Sequence, residues 1–146
     1  MSMVRIAIPN IDEIESVAGV SIATAVMEKA MRLTEQVMRA PSIACFLYGF
    51  QILVLTETTE APRMITRLRA MLERLTINDF GIQGKVPGPK LGTLLIRSTE
   101  MAIAHYPNDG ETLSELTAKT RRLLEESRRA SLTGEQVEKV AHAGSW

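Results

Sequence analysis

Phe46-Leu47-Tyr48-Gly49-Phe50-Gln51-Ile52-Leu53-Val54-Leu55 carries the clearest local pattern in the chain. It reads as two short strands joined by a tight turn. Ser42 to Leu47 is short and apolar, and Ile52 to Leu55 is an unbroken aliphatic run, the pattern of a strand buried on both faces. Gly49 lies between them and takes a positive φ without steric cost.

Outward from this hairpin, composition sets the bounds. The chain has 146 residues, 45% hydrophobic and 23% charged, which suits one globular domain with its own core. Formal net charge is zero and the pI is about 6.7, so electrostatics offer no case for nucleic acid or an anionic membrane as partner. No apolar run approaches the roughly 18 residues of a membrane span, and the start, Met1-Ser2-Met3-Val4-Arg5, does not resemble a secretory signal. Cys45 is the single cysteine, so no intrachain disulfide can form, and a cytoplasmic location is expected.

Before the hairpin, Val4 to Pro9 reads as a first strand with Ile6 and Ile8 on one face. Asn10 to Val17 is a short helix or a turn. Ser21 is positioned to cap a helix to about Arg39, with Ile22, Val26, Ala30, Leu33 and Val37 at helical spacing. Pro41 ends it. After the hairpin, Thr58 or Thr59 caps a helix that buries Ile65, Leu68, Leu72 and Leu75. Residues 76–92, rich in glycine and proline, read as a loop or a loose hairpin. Thr93 to Tyr106 is strand-like. Pro107-Asn108-Asp109-Gly110 is a turn, in which the glycine is expected to accept the chain reversal. Thr112 and Glu115 form a capping-box pattern that opens a helix to about Ala130. Thr133 opens a separate short helix to about His142. The expected class is α+β, a β-α-β-β-α-β core whose mixed, largely antiparallel sheet carries helices on one face.

This order, with the hairpin at its centre, resembles the GGDEF domains, the diguanylate cyclases that join two GTP molecules into cyclic di-GMP. Tyr48-Gly49-Phe50-Gln51-Ile52 stands where that family has Gly-Gly-Asp/Glu-Glu-Phe. Met101 to Leu116 resembles the family's S-x-G-x-A-x-x-P-x-D-G-x-T-x-x-E-L, and Ile11, Ile14 and Gly19 fall on its opening motif. The likeness runs from Val4 to about Ala130. It implies a GGDEF-like domain over residues 1–132, degenerate at its site, and a C-terminal helical extension over 133–146.

The cyclase reaction needs metal ions held by hard oxygen ligands, chiefly carboxylates. By the resemblance those ligands fall on Ala7, Phe50 and Gln51, none of them acidic. The guanine-reading positions are Glu15 and Thr24. The triphosphate-binding lysine corresponds to Arg128 and the following arginine to Leu132. The inhibitory R-x-x-D becomes Arg39-Ala40-Pro41-Ser42, which keeps the arginine alone. The resemblance therefore implies a remnant active-site turn of Tyr48, Gly49, Phe50 and Gln51, no catalytic residue, no metal and no cofactor. Arg39 and Arg128 are its candidate nucleotide-binding residues.

Other residues have plainer readings. Met27, Met31 and Met38 form a core stripe or an adaptable protein-binding face. His105 and His142 have no ligand partner at metal-site spacing. Cys45, in a strand read as buried, is a structural thiol. Gly84 to Lys90 lacks P-loop spacing. Arg121, Arg122, Arg128 and Arg129 alternate with Glu125 and Glu126 as a solvated, paired face. The function expected is a non-enzymatic, cytoplasmic protein-interaction or scaffolding module, with a protein partner or a second copy as a homodimer, and weak or no guanine nucleotide. The alternatives are a non-catalytic receptor for cyclic di-GMP or GTP, and an unrelated α/β module of the same topology.

Overall fold

Strand β1 (Ser2–Ala7) is buried at every position and occupies the interior of a four-stranded sheet. A computed structural model describes residues 1–47, 50–76, 80, 96 and 98–144, with side chains as far as Ala130. The sheet order is β2 (Ile43–Leu47), β3 (Gln51–Thr56), β1, β4 (Glu100–His105), and all three pairings are antiparallel. The expected hairpin is β2–β3. Its turn residues Tyr48 and Gly49 lie outside the described residues, as does most of the expected loop over 76–92.

Opposed residues of antiparallel strands share a face, and β1 carries buried apolar residues on both of its faces. Val4 and Ile6, with Ile52 and Val54 of β3, enter the main core. Helix α1 (Ile11–Ala18), helix α2 (Val20–Val37) and helix α3 (Ala61–Leu72) close that core with Ile14, Val26, Ala30, Met64, Leu68 and Leu72. Each fully buried aliphatic side chain there contributes about 1.5–3 kcal/mol of transfer free energy. Met27 and Met31 are buried and Met38 packs beside them, so the methionine stripe is core.

Met3, Arg5 and Ala7 point the other way. Helix α4 (Leu113–Gly144) covers them, placing Leu116 against Met3 and Ala104, and Leu124 against Ala7 and Ala102. The helices therefore lie on both faces of the sheet, not on one. The reason is β1 itself, whose apolar residues on both faces have to leave water.

Several local expectations change for physical reasons. The last helical stretch is one helix through residue 144, where two were expected. Neither Ser21 nor Thr58 caps a helix. Gly19, at φ 96°, joins α1 to α2, and the Thr58 hydroxyl instead accepts from Ser2 Oγ at 2.9 Å and from the Met1 amino group at 3.1 Å. Cys45 is exposed, because β2 is an edge strand.

The Thr112 cap forms as expected. Its Oγ1 accepts from the Glu115 N–H at 3.1 Å, and the Glu115 carboxylate reaches back to the Glu111 N–H at 2.7 Å. Asp109 anchors its turn by accepting from the His105 N–H at 2.8 Å. Gly110 serves close approach and not a positive φ. A Cβ there would stand 2.8 Å from the Glu115 Cβ and 3.2 Å from the Glu115 and Leu116 backbone.

Candidate functional site

At the turn end of the sheet, Ala7 is the cross-strand partner of Gln51 on one side and of Glu100 on the other. The register thus brings together two of the three positions that the resemblance assigns to metal ligands. Directly opposed residues have Cβ atoms about 4.5–5.5 Å apart, close enough for two carboxylates to share a cation. The residues present are not carboxylates. Ala7 is buried against Ala102 and Leu124, and Gln51 is neutral.

The third position, Phe50, has φ 56°. The left-handed region here falls on an aromatic residue, at a backbone cost of about 1–2 kcal/mol, while Gly49, where a positive φ was expected, lies outside the described residues. The Phe50 side chain is half-buried and packs against the main core.

The residue that organises this end of the sheet is Arg5. It is the only charged residue of β1 and only 5% exposed. Its guanidinium lies along the α4 face. Nη1 donates to Gln51 Oε1 at 2.6 Å, Nε to Thr120 Oγ1 at 3.1 Å, and Nη2 to the Thr117 carbonyl at 3.2 Å. All three acceptors are uncharged. Desolvation lowers the Arg5 pKa from its ordinary value, the nearby Arg121 lowers it further, and Glu125 acts in the opposite sense. Sequence reading passed over this residue because it treated the first strand as simply apolar. The available signal was a lone charge inside an aliphatic strand, which demands buried partners.

Glu100 was also missed. It sits in the same row as Ala7, and its Oε2 accepts from Arg128 Nε at 2.8 Å. Arg128, a candidate nucleotide-binding residue, is therefore held at the turn end of the sheet by a carboxylate. Arg39 is at the opposite end. It follows α2, is largely exposed, and lies 3.7 Å from Glu60. The structure does not bring the two arginines together. Arg63 completes the Arg39 corner by donating to Glu60 at 2.9 Å and to the Val37 carbonyl at 2.8 Å, which satisfies the C-terminus of α2.

Glu15 is half-buried in α1 and Thr24 exposed in α2. Tyr48, Gly49 and the side chains of Leu132 and His142 lie outside the described residues. The His105 ring instead pairs Nδ1 with Ser2 Oγ at 2.7 Å. Among the described residues, no group of three or more His, Cys, Asp or Glu is placed to hold a metal ion. The chemistry of this row does not fit a magnesium ion, because a cationic donor already occupies the oxygen that the resemblance assigns to the metal.

No protein-family model matches the sequence, and a search of curated proteins finds no match. Solved structures do match. The chain is similar to a sensory box/GGDEF family protein from Caulobacter crescentus, with a TM-score of 0.67 and 20% identity over 88% of this chain and 78% of that one. It is similar to the diguanylate cyclase SiaD from Pseudomonas aeruginosa, solved in complex with its activator SiaC, with a TM-score of 0.70 and 16% identity over 88% of this chain and 46% of that one. It is also similar to the GGDEF domain of DgcB from Caulobacter crescentus, solved in complex with c-di-GMP, with a TM-score of 0.69 and 12% identity over 88% and 72%. The chain thus has the fold of the GGDEF domains. Among the described residues, no helix is long and apolar enough to cross a membrane.

Proposed function

We propose that this chain is a GGDEF-like domain without cyclase activity, acting as a protein-interaction or scaffolding module in the bacterial cytoplasm, alone or as a homodimer. One observation carries the reading. Ala7 and Gln51 face each other across two strands where a metal would need acids, and the Gln51 oxygen is bound by the Arg5 guanidinium. Without a metal, nothing in this row can activate a 3′-hydroxyl or hold a triphosphate. The partner reading draws support from SiaD, a protein of the same fold that is found with an activator protein. It also draws on edge strand β2, which leaves Ile43 72% and Phe46 51% exposed.

The test is incubation of the pure chain with GTP and magnesium or manganese, followed by chromatography. No cyclic di-GMP is expected. Product that disappears on Gln51→Leu would overturn the reading.

A second reading, a nucleotide receptor, is favoured by the c-di-GMP bound to DgcB. Here Arg39 and Arg128 each have a carboxylate beside them, and a ligand phosphate would have to displace it. Calorimetry with GTP and cyclic di-GMP separates the readings. Sub-micromolar binding abolished by Arg39→Ala or Arg128→Ala would put the receptor first.

A further inference from the structure

The three acceptors around Arg5 form an oxygen set of the kind that surrounds a cation. An amide oxygen, a hydroxyl and a backbone carbonyl, drawn from β3 and two successive turns of α4, converge on one buried positive group. A guanidinium placed beside exposed carboxylates would be an ordinary surface ion pair. This one is 5% exposed and bound by neutral dipoles instead. It lies on the same face as Ala7, two residues away on the same strand, and reaches into the Ala7–Gln51 row.

We infer that the Arg5 guanidinium is a protein-borne cation that takes the place of a divalent metal ion at this end of the sheet and excludes one from it. The inference rests on the non-catalytic reading and deepens it. Loss of the acids alone would leave a row in which substitution could rebuild a pair of carboxylates at Ala7 and Gln51. A fixed positive charge on the same oxygen makes that restoration fail. Like charges a few ångströms apart in a poorly solvated site repel strongly, and a metal on Gln51 Oε1 would lie beside the guanidinium that already donates to that oxygen. The guanidinium also has a structural duty, since it ties β1 and β3 to α4 through Thr117 and Thr120.

The experiment restores the acids with and without the cation. The variants are Ala7→Asp/Gln51→Glu, and the same pair combined with Arg5→Met, which keeps an unbranched apolar stem and removes the charge. Manganese binding is read by electron paramagnetic resonance of the free ion and by calorimetry. The variant that retains Arg5 is expected to show no binding at millimolar manganese. The variant with Arg5→Met is expected to bind at least roughly tenfold tighter. Manganese binding of equal strength in both would overturn the inference, as would a folded Arg5→Met combination that binds no metal.

Should Arg5→Met prevent folding, Gln51→Glu alone in the otherwise native chain carries the test. Its melting temperature is expected to rise, because the hydrogen bond to Arg5 becomes charge-assisted, and to be unmoved by manganese. A further rise on adding manganese would overturn the inference. Turnover of GTP by the native chain would sink the parent reading. Manganese binding by Ala7→Asp/Gln51→Glu without turnover would sink only this one.

Discussion

Replacing Phe50 separates two opposed contributions at the turn. The backbone there sits at φ 56°, and the ring packs half-buried on the main core. Phe50→Ala keeps a Cβ in the left-handed region and removes the ring. Fully burying a phenylalanine is worth about 1.5–3 kcal/mol, so a half-buried ring contributes about 0.8–1.5 kcal/mol. That is the expected destabilisation of Phe50→Ala. Phe50→Gly loses the same ring but relieves the backbone of a cost of about 1–2 kcal/mol. Part of that relief is offset by the extra freedom glycine has in the unfolded chain, about 0.4–1 kcal/mol. Phe50→Gly should therefore be more stable than Phe50→Ala by roughly 0.5–1 kcal/mol. Urea unfolding followed by circular dichroism reads both differences from the midpoints at a shared slope. A Phe50→Ala variant more stable than Phe50→Gly would refute the left-handed backbone. A Phe50→Ala variant equal to the native chain would refute the packed ring.

Three further outcomes follow from the described contacts. Gly110→Ala should cost about 1–3 kcal/mol, because its Cβ would meet Glu115 and the first turn of α4; a neutral result in thermal unfolding would contradict that geometry. Thr112→Ala should cost about 1 kcal/mol and Thr112→Ser much less, since only the hydroxyl accepts the Glu115 N–H; equal losses in the two would mean the cap is not what matters. Ile43→Glu with Phe46→Glu should cost about 1–2 kcal/mol, since Phe46 is about half covered, and leave the chain folded, while abolishing any self-association seen by analytical ultracentrifugation. A self-associating chain whose sedimentation the double variant leaves unchanged would remove edge strand β2 as the contact.

The β2–β3 hairpin, the order of the strands and the buried positions Val26, Ala30, Leu33, Val37, Leu68 and Leu72 follow from the sequence, because they rest on periodicity and turn chemistry within short windows. The cap at Thr112 and the turn at Asp109 were legible for the same reason. That Ala7 and Gln51 both fall on metal-ligand positions was implied by a resemblance, and only the strand register placed the two residues opposite each other. Tertiary structure decided the rest. Periodicity says which residues share a face, but not which element covers it, so the passage of α4 to the second face of β1 was not readable. Edge and central strands can have similar compositions, so Cys45 looked buried and is exposed. The role of Arg5 is the clearest case. Its partners Gln51, Thr117 and Thr120 are 46, 112 and 115 residues away in the chain, and only folding brings their oxygens to one guanidinium.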